Sequence, residues 1–140
     1  MIVVGKVSRK WSRRTGVSFQ RPADQDFDDD SDNDNLSNGL EAWFGTHPGE
    51  FNAGLANVST TGNVTTFTHA QNTTVPDDLT GYYEWSPNLT DWYDGDGIDG
   101  PGEGTTVTIV PSTSGASTTV TATVTGAYER IFLRAGVNQN

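Results

Sequence analysis

Cysteine is missing from all 140 residues, which excludes disulfides, thiolate chemistry and Cys-ligated zinc or iron–sulfur sites. No apolar run approaches the roughly 18 residues that a bilayer-crossing helix needs, so no membrane span is expected. Histidine occurs only as His47 and His69, neither within a GxSxG or HExxH pattern. Carboxylate pairs such as Asp77 with Asp78, or Glu84 with Asp91, are what any acidic chain offers. The sequence predicts a protein without catalytic residues.

Basic residues are scarce and unevenly placed. Lys6, Arg9, Lys10, Arg13, Arg14 and Arg21 precede Asp24, the first acid, and beyond them only Arg130 and Arg134 stand against 18 acids. The start of the chain therefore carries +6 and the remainder −16, for a net charge of −10. A body of that sign repels nucleic acid and anionic membranes, so the basic segment is expected to meet an acidic protein surface. The nearest such surface is a neighbouring copy. The opening MIVVGKVSRKWSRR lacks the basic start, long apolar core and small-residue cleavage site of a secretory signal, which predicts either another export route or a chain that begins after processing.

What is present favours strands. Only 33% of residues are hydrophobic, and Gly, Ser, Thr and Asn are abundant, a mix suited to short strands and turns. NVTTFTH, GYYEWS, TTVTIVPS, TTVTATVTG and RIFLRAGV are separated by turn-forming clusters. Val120, Ala122 and Val124 alternate with threonines, and Ile131, Leu133, Ala135 and Val137 form a second stripe of period two. The expected fold is mainly β: a single β-sandwich, jelly-roll or immunoglobulin-like. Residues 1–23 are read as a basic extended arm, in which Val3, Gly5 and Val7 alternate with Ile2, Val4 and Lys6. Residues 24–48 are read as a calcium-binding loop leading into one short helix, and 49–140 as the sandwich body.

The loop is the densest chemistry in the chain. Residues 26–41, DFDDDSDNDNLSNGLE, hold seven carboxylates and no Lys or Arg. Aligned on a twelve-residue EF-type loop, DSDNDNLSNGLE puts Asp30, Asp32 and Asp34 at positions 1, 3 and 5, the Leu36 carbonyl at 7, Asn38 at 9 and Glu41 at 12. All six supply oxygen, the donor that Ca2+ requires. Position 6, usually Gly because φ is positive there, is Asn35, the non-glycine residue that best tolerates that conformation. The competing reading is a solvated acidic linker. Against it stand the spacing and Leu36, Leu40 and Trp43 at helical intervals.

The stretch D-x-D-x-D-N-L-S-N-x-x-E followed by AWFGTHP resembles the bacterial thrombospondin type 3 calcium repeat over residues 26–48. The resemblance implies calcium ligation by Asp30, Asp32, Asp34, Asn38, Glu41 and the Leu36 carbonyl, with Gly45, Thr46 and Pro48 forming the following turn. GYYEWSPNLTDW and ERIFLR are similar to the β domain that often follows such repeats in secreted bacterial surface proteins. That second resemblance implies an extracellular or cell-surface setting.

Weaker groupings remain. Asp26 and Asp28, or Asp94, Asp96 and Asp99 in DGDGIDGPGEG, are candidates for a second ion, although the latter also reads as a polar hairpin loop. Tyr82, Tyr83, Trp85, Trp92 and Tyr93 either present an aromatic platform to polysaccharide or contribute to the core. The function expected is a calcium-stabilised extracellular structural protein, a self-assembling filament or surface-layer subunit whose arm contacts the next copy. The alternative is a non-catalytic carbohydrate-binding or adhesion module.

Overall fold

A computed structural model of the chain describes residues 26–102, 104–127 and 130–140; the arm expected over residues 1–23 lies outside them. The described residues form a helix, α1 (Asn38–Phe44), and strands β1 (Ala56–Thr61), β2 (Val64–Ala70), β3 (Leu79–Ser86), β4 (Tyr93–Asp94), β5 (Thr106–Ser114), β6 (Ser117–Thr125) and β7 (Phe132–Gln139). Two antiparallel sheets result, one ordered β1-β2-β6-β5 and the other β4-β3-β7. Their inner faces share one core, the arrangement of a β-sandwich.

The period-two stripes build that core as expected. Val120 and Ala122 of β6 and Val107 of β5 meet Trp85 of β3, Leu133 of β7 and Phe67 of β2, all buried. Register keeps the stripes aligned, with Phe67 opposite Val120 and Trp85 opposite Leu133, because a one-residue slip would turn each stripe to solvent. Two strands are additions to the expected set. β1 has five exposed residues of six, so it carries no apolar alternation to read, and β4 has only two residues.

A second cluster joins α1 to the sandwich. Leu36, Leu40, Trp43 and Phe44 pack with Ala135 and Val137 of β7, with Phe27 and Leu79 at the margin. Each such buried side chain contributes about 2 kcal/mol. Seven residues are too few for a stable isolated helix, so α1 depends on this packing and on its ends. Ser37 caps the start, its hydroxyl accepting from the Leu40 N–H, and Gly45 closes the end at φ 84° with its N–H donating to the Glu41 carbonyl. Trp43 lies so close over β3 that a Cβ on Gly81 would fall 2.1 Å from its ring.

Candidate metal centre

The chain enters α1 through a loop folded on its own carboxylates. Asp30 Oδ1 accepts the Asp34 N–H at 3.1 Å and Asp30 Oδ2 the Asn35 N–H at 2.9 Å. Asp32 Oδ1 also accepts the Asp34 N–H, at 3.3 Å, and Asp34 Oδ1 accepts the Leu36 N–H at 2.8 Å. Such local bonding is what short Asx side chains do outside helices. It requires a tight backbone, and Asn33 and Asn35 adopt φ of 61° and 73°. Asn35 thus takes the positive φ expected of position 6.

The outcome is convergence. Asp30, Asp32 and Asp34 bring carboxylate oxygens within 4.8 Å of one another, the one group of three potential metal-ligating side chains so gathered among the described residues. These three could hold a metal ion. Glu41, in the first turn of α1, is not a member of that group; it is 0% exposed. Burial, and then the charges of Asp32, Asp34 and Asp30, raise its pKa to about 7. Burial and the charges of Asp34 and Asp30 also push Asp32 upward. Glu41 Oε2 and Asp32 Oδ2 are both buried with no hydrogen-bond partner. An unpaired buried carboxylate oxygen is costly, and beside Glu41 the Thr46 hydroxyl acts in the opposite sense to burial, lowering its pKa.

Other expected ligands have different surroundings. The buried Asn38 side chain ties the loop together, its amide donating to the Asp26 carbonyl at 2.8 Å and its Oδ1 accepting from the Ser31 hydroxyl at 3.0 Å. Asp26 and Asp28 are not members of the gathered group, and neither are Asp94, Asp96 and Asp99. Asp96 instead accepts the Ile98 and Asp99 N–H groups, which lower its pKa, so that segment is organised as a turn.

One contributor escapes sequence reading. After α1 the chain turns back, and the Asn52 N–H donates to Asp34 Oδ2 at 2.8 Å while its amide reaches Glu41 Oε1 at 3.5 Å and the Glu50 carbonyl. Asn52 therefore latches the loop to the helix from outside the motif. Only a tertiary return of the chain creates this contact, so no spacing announces it.

The aromatic residues are largely spent on structure. Trp85 is 0% exposed and packs at a tilt against Tyr93, ring centroids 5.3 Å apart, while the Arg134 guanidinium sits 4.0 Å from the Trp92 ring centroid and pairs with Glu84. His69 is buried among Trp43, Phe44 and Phe67. Its Nδ1 donates to the Ala70 carbonyl, so Nε2 accepts from the Tyr83 hydroxyl at 2.7 Å. No helix of the described residues is long and apolar enough to cross a membrane. Comparison with protein-family models, with curated protein sequences and with solved structures finds no match.

Proposed function

We propose that the chain is a calcium-stabilised extracellular structural protein that assembles with copies of itself, as a filament or surface-layer subunit. The observation that carries the reading is the gathering of the Asp30, Asp32 and Asp34 carboxylates beside the buried Glu41, whose pKa their charges help to raise. A hard divalent ion with a preference for six to eight oxygens suits carboxylates of this density better than a soft or nitrogen-seeking metal. The EF-type register and its likeness to a thrombospondin type 3 repeat support calcium in particular.

In this reading the ion supplies charge neutralisation, and the protein's own groups do the rest. Asp30, Asp32 and Asp34 hold one side of the ion while Glu41, fixed on α1, closes the other. The closure ties the acidic segment to a helix that is itself part of the core. Extracellular modules use such loops at roughly 0.1 to 1 mM calcium, which favours an exported location. Self-assembly is supported by the charge asymmetry between the +6 start and the −16 remainder, because opposite ends attract and a head-to-tail contact propagates unless it closes on itself.

Negative-stain electron microscopy with about 2 mM calcium, then with EGTA, tests both parts. Filaments or sheets that fall apart on chelation are expected, and a chain lacking residues 1–21 should remain a folded monomer. Monodisperse particles in both conditions would overturn self-assembly.

A further inference from the structure

The outer faces of the two sheets differ in charge. On the smaller sheet, Glu84 of β3 pairs with Arg134 of β7 beside Trp92, facing away from the core that Trp85 and Leu133 enter. On the larger sheet, every strand residue that points away from the core is Thr, Ser, Asn, Val or Ala. One row across it reads Ser59, Thr66, Thr121 and Val110, next in the chain to residues such as the buried Phe67 and Val120 that point inward. Not one of these outward residues is buried, and Val110 is 57% exposed, so no described residue covers the face. The first acid, Asp96, stands at its rim, bridged to Thr108 of β5.

Chemistry narrows the occupant. Without Lys or Arg the face has nothing to hold a nucleic acid, without carboxylates it holds no cation, and without an aromatic ring it offers a sugar no stacking surface. What it does carry is hydroxyls, each a donor and an acceptor at once. The Thr68 and Thr119 hydroxyls bond each other at 3.2 Å and the Thr66 hydroxyl donates to the Ser59 carbonyl at 3.4 Å, which uses only part of that capacity. A neutral face able both to give and to accept hydrogen bonds is complementary to a copy of itself. On a chain whose body carries −16, it is also where two copies approach without like charges meeting.

We propose that the outer face of the β1-β2-β6-β5 sheet packs on the same face of a second copy, sheet on sheet about 10 Å apart. Threonine and valine methyls interleave there, and the hydroxyls bond across the seam directly or through water. Four strands of six to nine residues, about 4.8 Å apart and rising about 3.3 Å per residue, give a face on the order of 500 Å². Two such faces bury about 1,000 Å², the floor for a specific contact and well short of the roughly 1,600 Å² of a standard one. A single pair is therefore weak, and it holds where copies are already arrayed. Because the contact is isologous it closes on itself, so that beside a head-to-tail contact it joins filaments in pairs. That copies are arrayed rests on the self-assembly reading above; the uncharged face does not depend on it.

Charge placed on the face tests the contact, read by sedimentation of the calcium-loaded full-length chain. Thr121→Lys and Thr121→Glu alter a half-buried position on the central strand β6. Each alone should raise the concentration of half-assembly at least tenfold while the monomer melts as before. Mixed in equal amounts, the two should assemble within about threefold of the unsubstituted chain, because opposite charges then meet across the seam; a merely structural defect would not be rescued. Should either fail to fold, Val110→Lys with Val110→Glu, at the exposed end of the same row, makes the same measurement. Assembly unchanged by either charge, or weakened without rescue on mixing, overturns the face assignment while self-assembly stands. A chain monomeric at every concentration overturns this contact and the self-assembly reading together.

Discussion

Glu41 couples the proposed ion to protons, and the coupling has a computable size. In the ion-free chain its pKa lies at about 7, raised by burial and by Asp32, Asp34 and Asp30. Glu41 therefore carries a proton in about half of the molecules at pH 7, in about nine-tenths at pH 6 and in about one-tenth at pH 8. A cation needs the ionised form, so calcium binding should expel about half a proton at pH 7. The apparent affinity should weaken about fivefold between pH 7 and pH 6, and less than twofold between pH 8 and pH 7. The sign for ion-free stability is opposite to the usual carboxylate case. A folded pKa above the ordinary 4.5 means that Glu41's contribution is present at low pH and lost as pH rises through about 7. Chelation should thus destabilise the chain more at pH 8 than at pH 6. Isothermal titration calorimetry in two buffers of different ionisation enthalpy counts the protons directly. Glu41→Gln should weaken binding on the order of tenfold or more, about 1.4 kcal/mol, and flatten the pH dependence. No proton release at pH 7 together with an affinity flat from pH 6 to 8 would refute the placement of Glu41 at the ion.

Other outcomes follow from neighbouring residues. Asn35 sits at φ 73°, so Asn35→Ala should cost about 1 kcal/mol in calcium-loaded denaturation while Asn35→Gly is close to neutral; equal losses would remove backbone conformation as the reason for that residue. Leu40 is 1% exposed between the loop and β7, and Leu40→Ala should cost about 2–5 kcal/mol, measured by chemical denaturation; a loss below 1 kcal/mol would mean that α1 is not part of the cooperative core. Burial holds His69 below its ordinary 6.5, so its ring should titrate below that value by NMR. Its contribution to stability is then present above pH 6.5 and lost as pH falls; titration at or above 6.5 would contradict the neutral Nδ1–H form.

Much of this architecture is legible in the sequence where one residue type answers one physical demand. The stripes Val120, Ala122 and Leu133, Ala135, Val137 locate β6 and β7 because those residues are buried, Val120, Ala122 and Leu133 between the sheets and Ala135 and Val137 against α1. Leu36, Leu40 and Trp43 locate the helix by their spacing, and all three are buried. The aspartates at alternate positions anticipate the gathered group, since i, i+2 and i+4 in a tight loop must converge. What could not be read depends on partners far along the chain. β1 has a mostly exposed surface, so its pairing with β2 leaves no apolar pattern. Asn52 acts on Asp34 from 18 residues away. Arg134 of β7 lies over Trp92, just before β4, and the pairing becomes visible only once β3 and β7 stand side by side.

The idea at the centre of the proposal is that an ion in the acidic loop holds α1 against the sandwich. Amide exchange of the Leu40–Gly45 segment in calcium and then in EGTA measures that link. Protection there should fall by at least an order of magnitude on chelation while β5 and β6 exchange as before. Equal protection of the helix in both conditions would contradict it.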